Sequence, residues 1–309
     1  APGDCGGPKS GAGEGIAALR NAGLVDMLEL NGVLRSDLGD LIGPPYIADV
    51  PRNGYRHLDS VVTWVRRVRD VAIEAFATDA VPLMLGGDHS ISIGTLAAAS
   101  ARAAVLDRPL YVIWVDAHAD FNVAQTSPSG NLHGMPLAVA TGTGPAVLTD
   151  LWGDNPFIPS QNLAVYGGRS IDEGEARRLA EGDATVVKRE EVANRGVAAT
   201  LLPILEKIRA ANGLLHLSFD TDVLDPIIAP GTGVPVADGF SFEEARQTLR
   251  LLARSGLVSS VDFVETDPTV DQNGKTVSVI LDLIGSFTSE GTPAGELARM
   301  DTLKADTIK

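Results

Sequence analysis

In four places along this chain a hydrophobic run stops at ionisable side chains. Asp116, His118 and Asp120 alternate in "DAHAD" directly after "LYVIWV" (110–115), and Asp220 and Asp222 alternate in "SFDTD" where "LLHLSF" (214–219) ends. Asp88 and His89 follow "VPLML" (81–85) in "GGDHS", and Glu265 follows "VSSVDFV" (258–264). If extended backbone persists past each run, a side-chain period of two keeps Asp116, His118 and Asp120 on one side, and Asp220 with Asp222 likewise. His89, Asp116, His118, Asp120, Asp220 and Asp222 then offer four carboxylates and two imidazoles to one space. Buried carboxylates in such numbers repel one another or take up protons, and cations remove that cost. Six donors exceed the need of one tetrahedral zinc, and hard oxygens with two imidazoles suit manganese better. Two ions about 3.5–4 Å apart, bridged by carboxylates and a hydroxide, would engage all six.

For these residues to meet, the runs must be strands whose ends share one edge. A fifth run, "LAVY" (163–166), has the same character, and helical patterns lie between the runs at 58–77, 92–106, 198–211 and 241–256. The last begins with Ser241 and Glu244 at capping-box spacing and stops at Gly256, and Ser90 is a candidate N-cap for the second. Near-continuous hydrophobic strands alternating with helices predict an α/β fold: a three-layer, doubly wound parallel sheet with both faces covered. One domain over residues 1–309 is expected, with the Gly- and Pro-rich segment 140–162 as a long surface excursion. In such a sheet, ligands bind beyond the carboxyl ends of the strands. His57 and His216 fall outside the cluster, and His216, inside "LLHLSF", reads as a satisfied strand histidine.

Composition narrows the class of function. Hydrophobic residues at 44% and charged residues at 21% argue for a folded chain over a disordered one. A formal charge of −15 opposes binding to nucleic acid or an anionic membrane, and favours metal ions or a cationic small substrate. No apolar run approaches the roughly 20 residues of a bilayer span, and the first residues lack a signal-peptide pattern. Cys5 is the one cysteine, so no internal disulfide forms, which points to a reducing, cytoplasmic setting.

With these residues in view, the sequence resembles the ureohydrolase family, and within it the arginases. "GGDHS", "DAHADFN", "SGNLHG", "SFDTDVLDP", "GTGVP" and "VETDP" occur in the family's order across nearly the whole chain. The resemblance implies an arginase-like three-layer fold, two Mn2+ per subunit, a homo-trimer or homo-hexamer, and hydrolysis of L-arginine to L-ornithine and urea by a metal-bridging hydroxide. It assigns His89, Asp116, Asp120 and Asp220 to one ion, and Asp116, His118, Asp220 and Asp222 to the other, with Asp116 and Asp220 bridging. It gives Asp120 the proton released as the tetrahedral intermediate forms, His133 the proton shuttle, and Glu265 the hold on the guanidinium. Asn122, Ser129 and Asn131 resemble the family's α-carboxylate-binding loop, and Asp172 and Glu175 its acidic partners of the α-amino group. The chemistry of the substrate agrees, since a guanidinium is a poor electrophile and a permanent cation. Its cleavage needs a strong nucleophile, an anionic anchor and a proton for the leaving amine.

Val234 stands where arginases commonly have threonine, Ser170 where some have a second aspartate, and Thr221 where an aliphatic is usual; the period of two points Thr221 away from the metals. The family also opens with a hydrophobic strand ending in Gly-Ala-Pro, and this sequence starts at "APGDCGG", just after that position. Either the chain is truncated or its sheet is built differently there. Hydrolysis of hydroxyarginine, agmatine or guanidinobutyrate is the alternative within the same chemistry. A deacetylase on a related fold would need one zinc and a His-His pair, and the sequence has no adjacent histidines. A binding protein without catalysis would need a broken ligand set, which is not seen.

Overall fold

The apolar runs become parallel strands because each is largely apolar and buried between covering helices, and helices in the connections return the chain for the next parallel strand. A computed structural model describes residues 1–290. Its strands are β1 (Leu83–Leu85), β2 (Leu110–Val115), β3 (Leu163–Gly168), β4 (Thr185–Lys188), β5 (Leu214–Asp220) and β6 (Val258–Val264). They form one six-stranded sheet in the order β1-β6-β5-β2-β3-β4, parallel throughout. Alternate residues of β2 serve two cores. Val112 and Trp114 pack with the helices Leu58–Ala75, Ile91–Val105 and Pro136–Ala140. Tyr111, Ile113 and Val115 pack with Val197–Ala210, Phe242–Arg254 and Lys275–Glu290 on the other face. Among the described residues no helix is long and apolar enough to cross a membrane.

The strand order fixes where a ligand binds. From β2 the chain steps outward through β3 to β4, then returns to the other side of β2 as β5 and steps outward again to β6, so the switch point lies between β2 and β5. Val115 is in register with Phe219, which makes Asp116 and Asp220 neighbours at that point. Asp220 is in turn in register with Val264, so Glu265 comes next along the same edge.

Several local expectations change. The strand β4 and the helices Glu173–Glu181 and Arg189–Arg195 were not anticipated, because β4 is a short, half-buried edge strand with little apolar signal. The segment 140–162 is the expected surface excursion, mostly exposed or half-buried, but it is pinned to the core. It turns through short helices at Ala146–Thr149 and Asp150–Trp152, and Leu148, Leu151, Trp152 and Ile158 are buried in the first core, with Trp152 Nε1 donating to Ser100 Oγ at 3.1 Å. Its glycines and prolines mark the turns between these anchors. Ser90 does not cap its helix. It has helical φ and ψ and makes no side-chain cap bond, whereas Asp88 Oδ1 accepts the Ser90 N–H at 2.8 Å and Asp88 Oδ2 the Gly6 N–H at 2.8 Å. The Ser241–Glu244 box does form, with Glu244 N donating to Ser241 Oγ at 3.3 Å and Ser241 N to Glu244 Oε2 at 2.9 Å. Ala1–Gly3 lie beside the carboxyl end of β1, with Ala1 N donating to Leu85 O at 2.8 Å and Asp88 N to Gly3 O at 2.8 Å. A Cβ on Gly87 would fall 1.8 Å from Gly3 O, so this close approach requires the second glycine of "GGDHS".

Candidate metal centre and substrate site

Strand geometry stops at Val115, so the period of two does not assemble the "DAHAD" side chains. A side-chain turn does. Asp116 Oδ1 accepts the backbone N–H of His118 at 2.6 Å, and Asp220 Oδ1 accepts that of Asp222 at 2.7 Å, the same Asx turn at the ends of two adjacent strands. Each turn folds the second side chain back over the first. Asp120 then arrives with φ 49° and Glu265 with φ 62°, both in the left-handed region. Such backbone costs about 1–3 kcal/mol per residue and gathers at functional sites. Thr221 does point away: its hydroxyl donates to Val264 O at 2.9 Å and meets Thr266 Oγ1 at 2.9 Å.

The six candidate ligands converge. His89 Nδ1 lies 3.2 Å from Asp116 Oδ2, 3.0 Å from Asp120 Oδ2 and 3.0 Å from Asp220 Oδ2. His118 Nδ1 lies 2.9 Å from Asp222 Oδ2 and 3.5 Å from Asp116 Oδ1. Two compact groups result, His89–Asp116–Asp220 and Asp116–His118–Asp222, and Asp116 belongs to both. Asp120 adjoins the first group through His89, and Asp220 sits with the first group and outside the compact second one.

Two features test whether these donors fit cations. Ligand atoms held at right angles about 2.1 Å from an ion are about 3 Å apart, which is the spacing seen here. Moreover His89 Nδ1 and Asp116 Oδ2 are buried without an aligned hydrogen bond despite their proximity, so their mutual packing does not satisfy them. The electrostatics agree. Burial pushes Asp222 up to about 7, with the Asp116 charge adding to it, and burial with neighbouring acids raises Asp220 and Asp120. Burial would lower His118, but Asp222 and Asp116 outweigh it and take it up to about 12. Such a cluster is relieved either by protons or by a positive centre, and a cation relieves it with the carboxylates still charged.

On the substrate side, Glu265 is buried, and its Oε1 accepts the His89 N–H and lies 2.9 Å from His133 Nδ1. Burial lowers His133, but the Glu265 bond and charge prevail and raise it to about 9. A Cβ on Gly233 would lie 3.2 Å from Glu265 Oε2, so "GTG" leaves that oxygen room. Asn122 Nδ2 donates to Asp172 Oδ2 at 3.1 Å, which ties the loop after β2 to the start of the helix Glu173–Glu181. Ser129 is exposed, Asn131 is buried beside it, and Ser129 Oγ accepts the Asn131 N–H at 3.2 Å. Glu175 is buried, and its oxygens accept from Phe121 N at 2.9 Å and Asp172 N at 3.0 Å, which holds Asp172 and the Phe121–Asn122 backbone in place. Ser170 and Val234 are both exposed, and neither is in the ligand cluster.

Two residues went unnoticed in the sequence. Arg169 donates to the carbonyls of Asp222 at 2.7 Å, Val236 at 2.8 Å, Ala237 at 3.0 Å and Val223 at 3.2 Å, which holds the turn carrying Asp222. Its signal was an arginine directly after the small strand-end residues of "GGRS". Arg56 holds the other loop, donating to Ser129 O at 3.0 Å and Asp49 O at 2.6 Å, and nothing in "NGYRH" marks it.

The family model described as the arginase family matches residues 1–289. The chain belongs to the arginase family. It is 37% identical over 288 residues to an arginase of Bacillus subtilis, covering 93% of this chain and 95% of that one. The Bacillus caldovelox arginase structure superposes with a TM-score of 0.87 at 35% identity, covering 95% of this chain and 97% of that one. An Entamoeba histolytica arginase solved in complex with L-ornithine superposes with a TM-score of 0.86 at 32% identity, covering 93% and 95%. Membership of the arginase family makes the chain a metal-dependent hydrolase of C–N bonds in amidines, and the His and Asp groups at the switch point are able to hold the metal.

Proposed function

We propose that this protein hydrolyses L-arginine to L-ornithine and urea at a pair of Mn2+ ions. The observation that carries the reading is Asp116, which belongs to two ligand groups at once, as a carboxylate shared by two ions must. His89, Asp116, Asp120 and Asp220 would hold one ion, and Asp116, His118, Asp220 and Asp222 the other. Hard oxygen donors with one imidazole per ion favour manganese. Bound there, the ions supply the Lewis acidity that makes a water nucleophilic near neutral pH.

The protein's own groups perform the rest. Glu265 anchors the guanidinium through Oε2, the oxygen facing Gly233, while Oε1 stays on His133 and His89. Asp120 takes the proton of the attacking water as the tetrahedral carbon forms. His133 returns a proton to the departing amine, its Nδ1 facing Glu265, whose charge favours the protonated ring. Asn122, Ser129 and Asn131 donate to the α-carboxylate, and Asp172 pairs with the α-ammonium. L-ornithine in the Entamoeba relative has the same head group. The working form is a cytoplasmic homo-trimer or homo-hexamer, as the resemblance to arginases suggests.

A panel of L-arginine, hydroxyarginine, agmatine and guanidinobutyrate, scored by urea release, tests the substrate. Arginine should lead by kcat/KM. Agmatine or guanidinobutyrate in first place would reassign the head-group loop.

A further inference from the structure

Behind His89, a sheet face that packing alone would make apolar is polar. On β5 and β6, His216, Ser218, Ser260 and Asp262 are all buried, and Ser92 and Thr95 of the helix Ile91–Val105 come down onto them. Register places Trp114, Ser218 and Asp262 side by side across β2, β5 and β6. The His89 ring stacks on Trp114, with centroids 4.0 Å apart and planes 8° apart, and its Nε2 lies 2.8 Å from Ser218 Oγ. The stack fixes the plane of the ring and the hydroxyl fixes its rotation, which leaves Nδ1 toward Asp116, Asp120 and Asp220.

The direction of the hydrogen bonds follows from the carboxylate at the far end. Asp262 Oδ2 accepts from Ser92 Oγ at 2.8 Å and Thr95 Oγ1 at 2.6 Å, and His216 Nε2 sits 3.2 Å away, poorly aligned for a hydrogen bond. His216 Nδ1 is satisfied by Ser260 Oγ at 2.8 Å. Because Ser92 spends its proton on Asp262, its lone pairs face Ser218 Oγ across a long 3.5 Å contact. Ser218 turns its own proton that way and presents a lone pair to His89. The tautomer favoured at His89 therefore carries its proton on Nε2 and leaves Nδ1 free to ligate. A ligating histidine is commonly oriented this way through its other ring nitrogen, and loss of the partner typically costs about 10–100-fold in metal affinity.

We propose that Ser218, backed by Ser92 and Asp262, is a positioning residue that sets the His89 tautomer and so the affinity of the cation position at His89, Asp116 and Asp220, and not that at Asp116, His118 and Asp222. This rests on the two-cation reading above. The test is Mn2+ titration of chelator-stripped full-length protein by calorimetry, comparing wild type with Ser218→Ala and Ser92→Ala, alongside the urea midpoint of each stripped protein. In Ser218→Ala one ion should bind about 10–100-fold more weakly while the other changes less than about twofold. Ser92→Ala should weaken the same ion by less, and it carries the test alone if Ser218→Ala does not fold. In a His89→Ala background, Ser218→Ala should add nothing further. Unchanged affinities in Ser218→Ala, or equal weakening of both ions, would overturn the proposal. If wild type itself holds one ion, the two-cation reading fails separately, and Ser218 is judged on whether its loss weakens that ion.

Discussion

Stripping the metal should invert the pH dependence of stability. In the metal-free fold, burial and then Asp116 take Asp222 from 3.8 up to about 7, and Asp220 and Asp120 rise for the same kinds of reason. Against the pull of burial, Asp222 and Asp116 take His118 from 6.5 up to about 12. Each of these groups keeps a proton in the folded chain that the unfolded chain has lost, so each contributes stability at low pH that drains away as pH rises through its window. Asp116 has the opposite sign. Burial opposes its charge, but His118 and His89 hold it below the usual carboxylate range, so its contribution fails only in strong acid. Between pH 5 and pH 8 the raised groups dominate, and Asp222 alone accounts for about 3 kcal/mol at 1.36 kcal/mol per pH unit. Bound Mn2+ reverses the trend, because it needs deprotonated ligands, and each ion at a hundredfold excess over its Kd adds about 2.7 kcal/mol. Urea unfolding followed by circular dichroism from pH 5 to pH 8, with chelator or with Mn2+, reads both curves. The chelated protein should lose at least about 3 kcal/mol across that range, the Asp222 share alone, while the Mn2+ form holds level or gains. A chelated curve that is flat or rises with pH would refute the reasoning.

Asp172→Ala should cut kcat/KM for L-arginine by about 10²-fold or more while changing agmatine little, and wild type should prefer arginine over agmatine by roughly 10³; equal losses on both substrates would remove Asp172 from the head group. Glu265→Gln should raise KM for arginine at least about tenfold, since a neutral amide cannot pair with a guanidinium, and steady-state kinetics with arginine as the varied substrate will show it. Arg169→Ala removes the guanidinium bonds to the carbonyls of Asp222, Val223, Leu224, Val236 and Ala237 and should cost about 2–4 kcal/mol in urea unfolding, with Arg169→Lys recovering little because an ammonium lacks the planar fork.

The strands that matter were legible because β2 is hydrophobic on both faces, β5 is fully buried, and both end abruptly in charge. Topology then did what sequence spacing could not: 104 residues separate Asp116 from Asp220, yet register makes them neighbours. The ligand types were readable, but the mechanism of their convergence was misjudged. Residue spacing cannot distinguish an extended strand end from an Asx turn, because both bring residues two apart to one side, and the left-handed backbone of Asp120 and Glu265 has no sequence mark. Glu175 was read by its charge, and its position three residues after Asp172 equally describes a capping box; both of its oxygens serve backbone amides. Arg169 and Arg56 escaped notice because they act on carbonyls, which every residue carries and no pattern displays. Composition placed the 140–162 segment at the surface, but it carried no sign that Leu148, Leu151 and Trp152 pin it to the core.

The central claim, that two ions share Asp116 and act together, is tested most directly by adding Mn2+ stepwise to chelator-stripped protein while following urea release from L-arginine. Activity should climb to its plateau at two equivalents per chain, and Asp116→Ala should retain neither ion tightly, because its carboxylate belongs to both groups. Full activity at one equivalent, or with a single tightly bound zinc, would contradict the account.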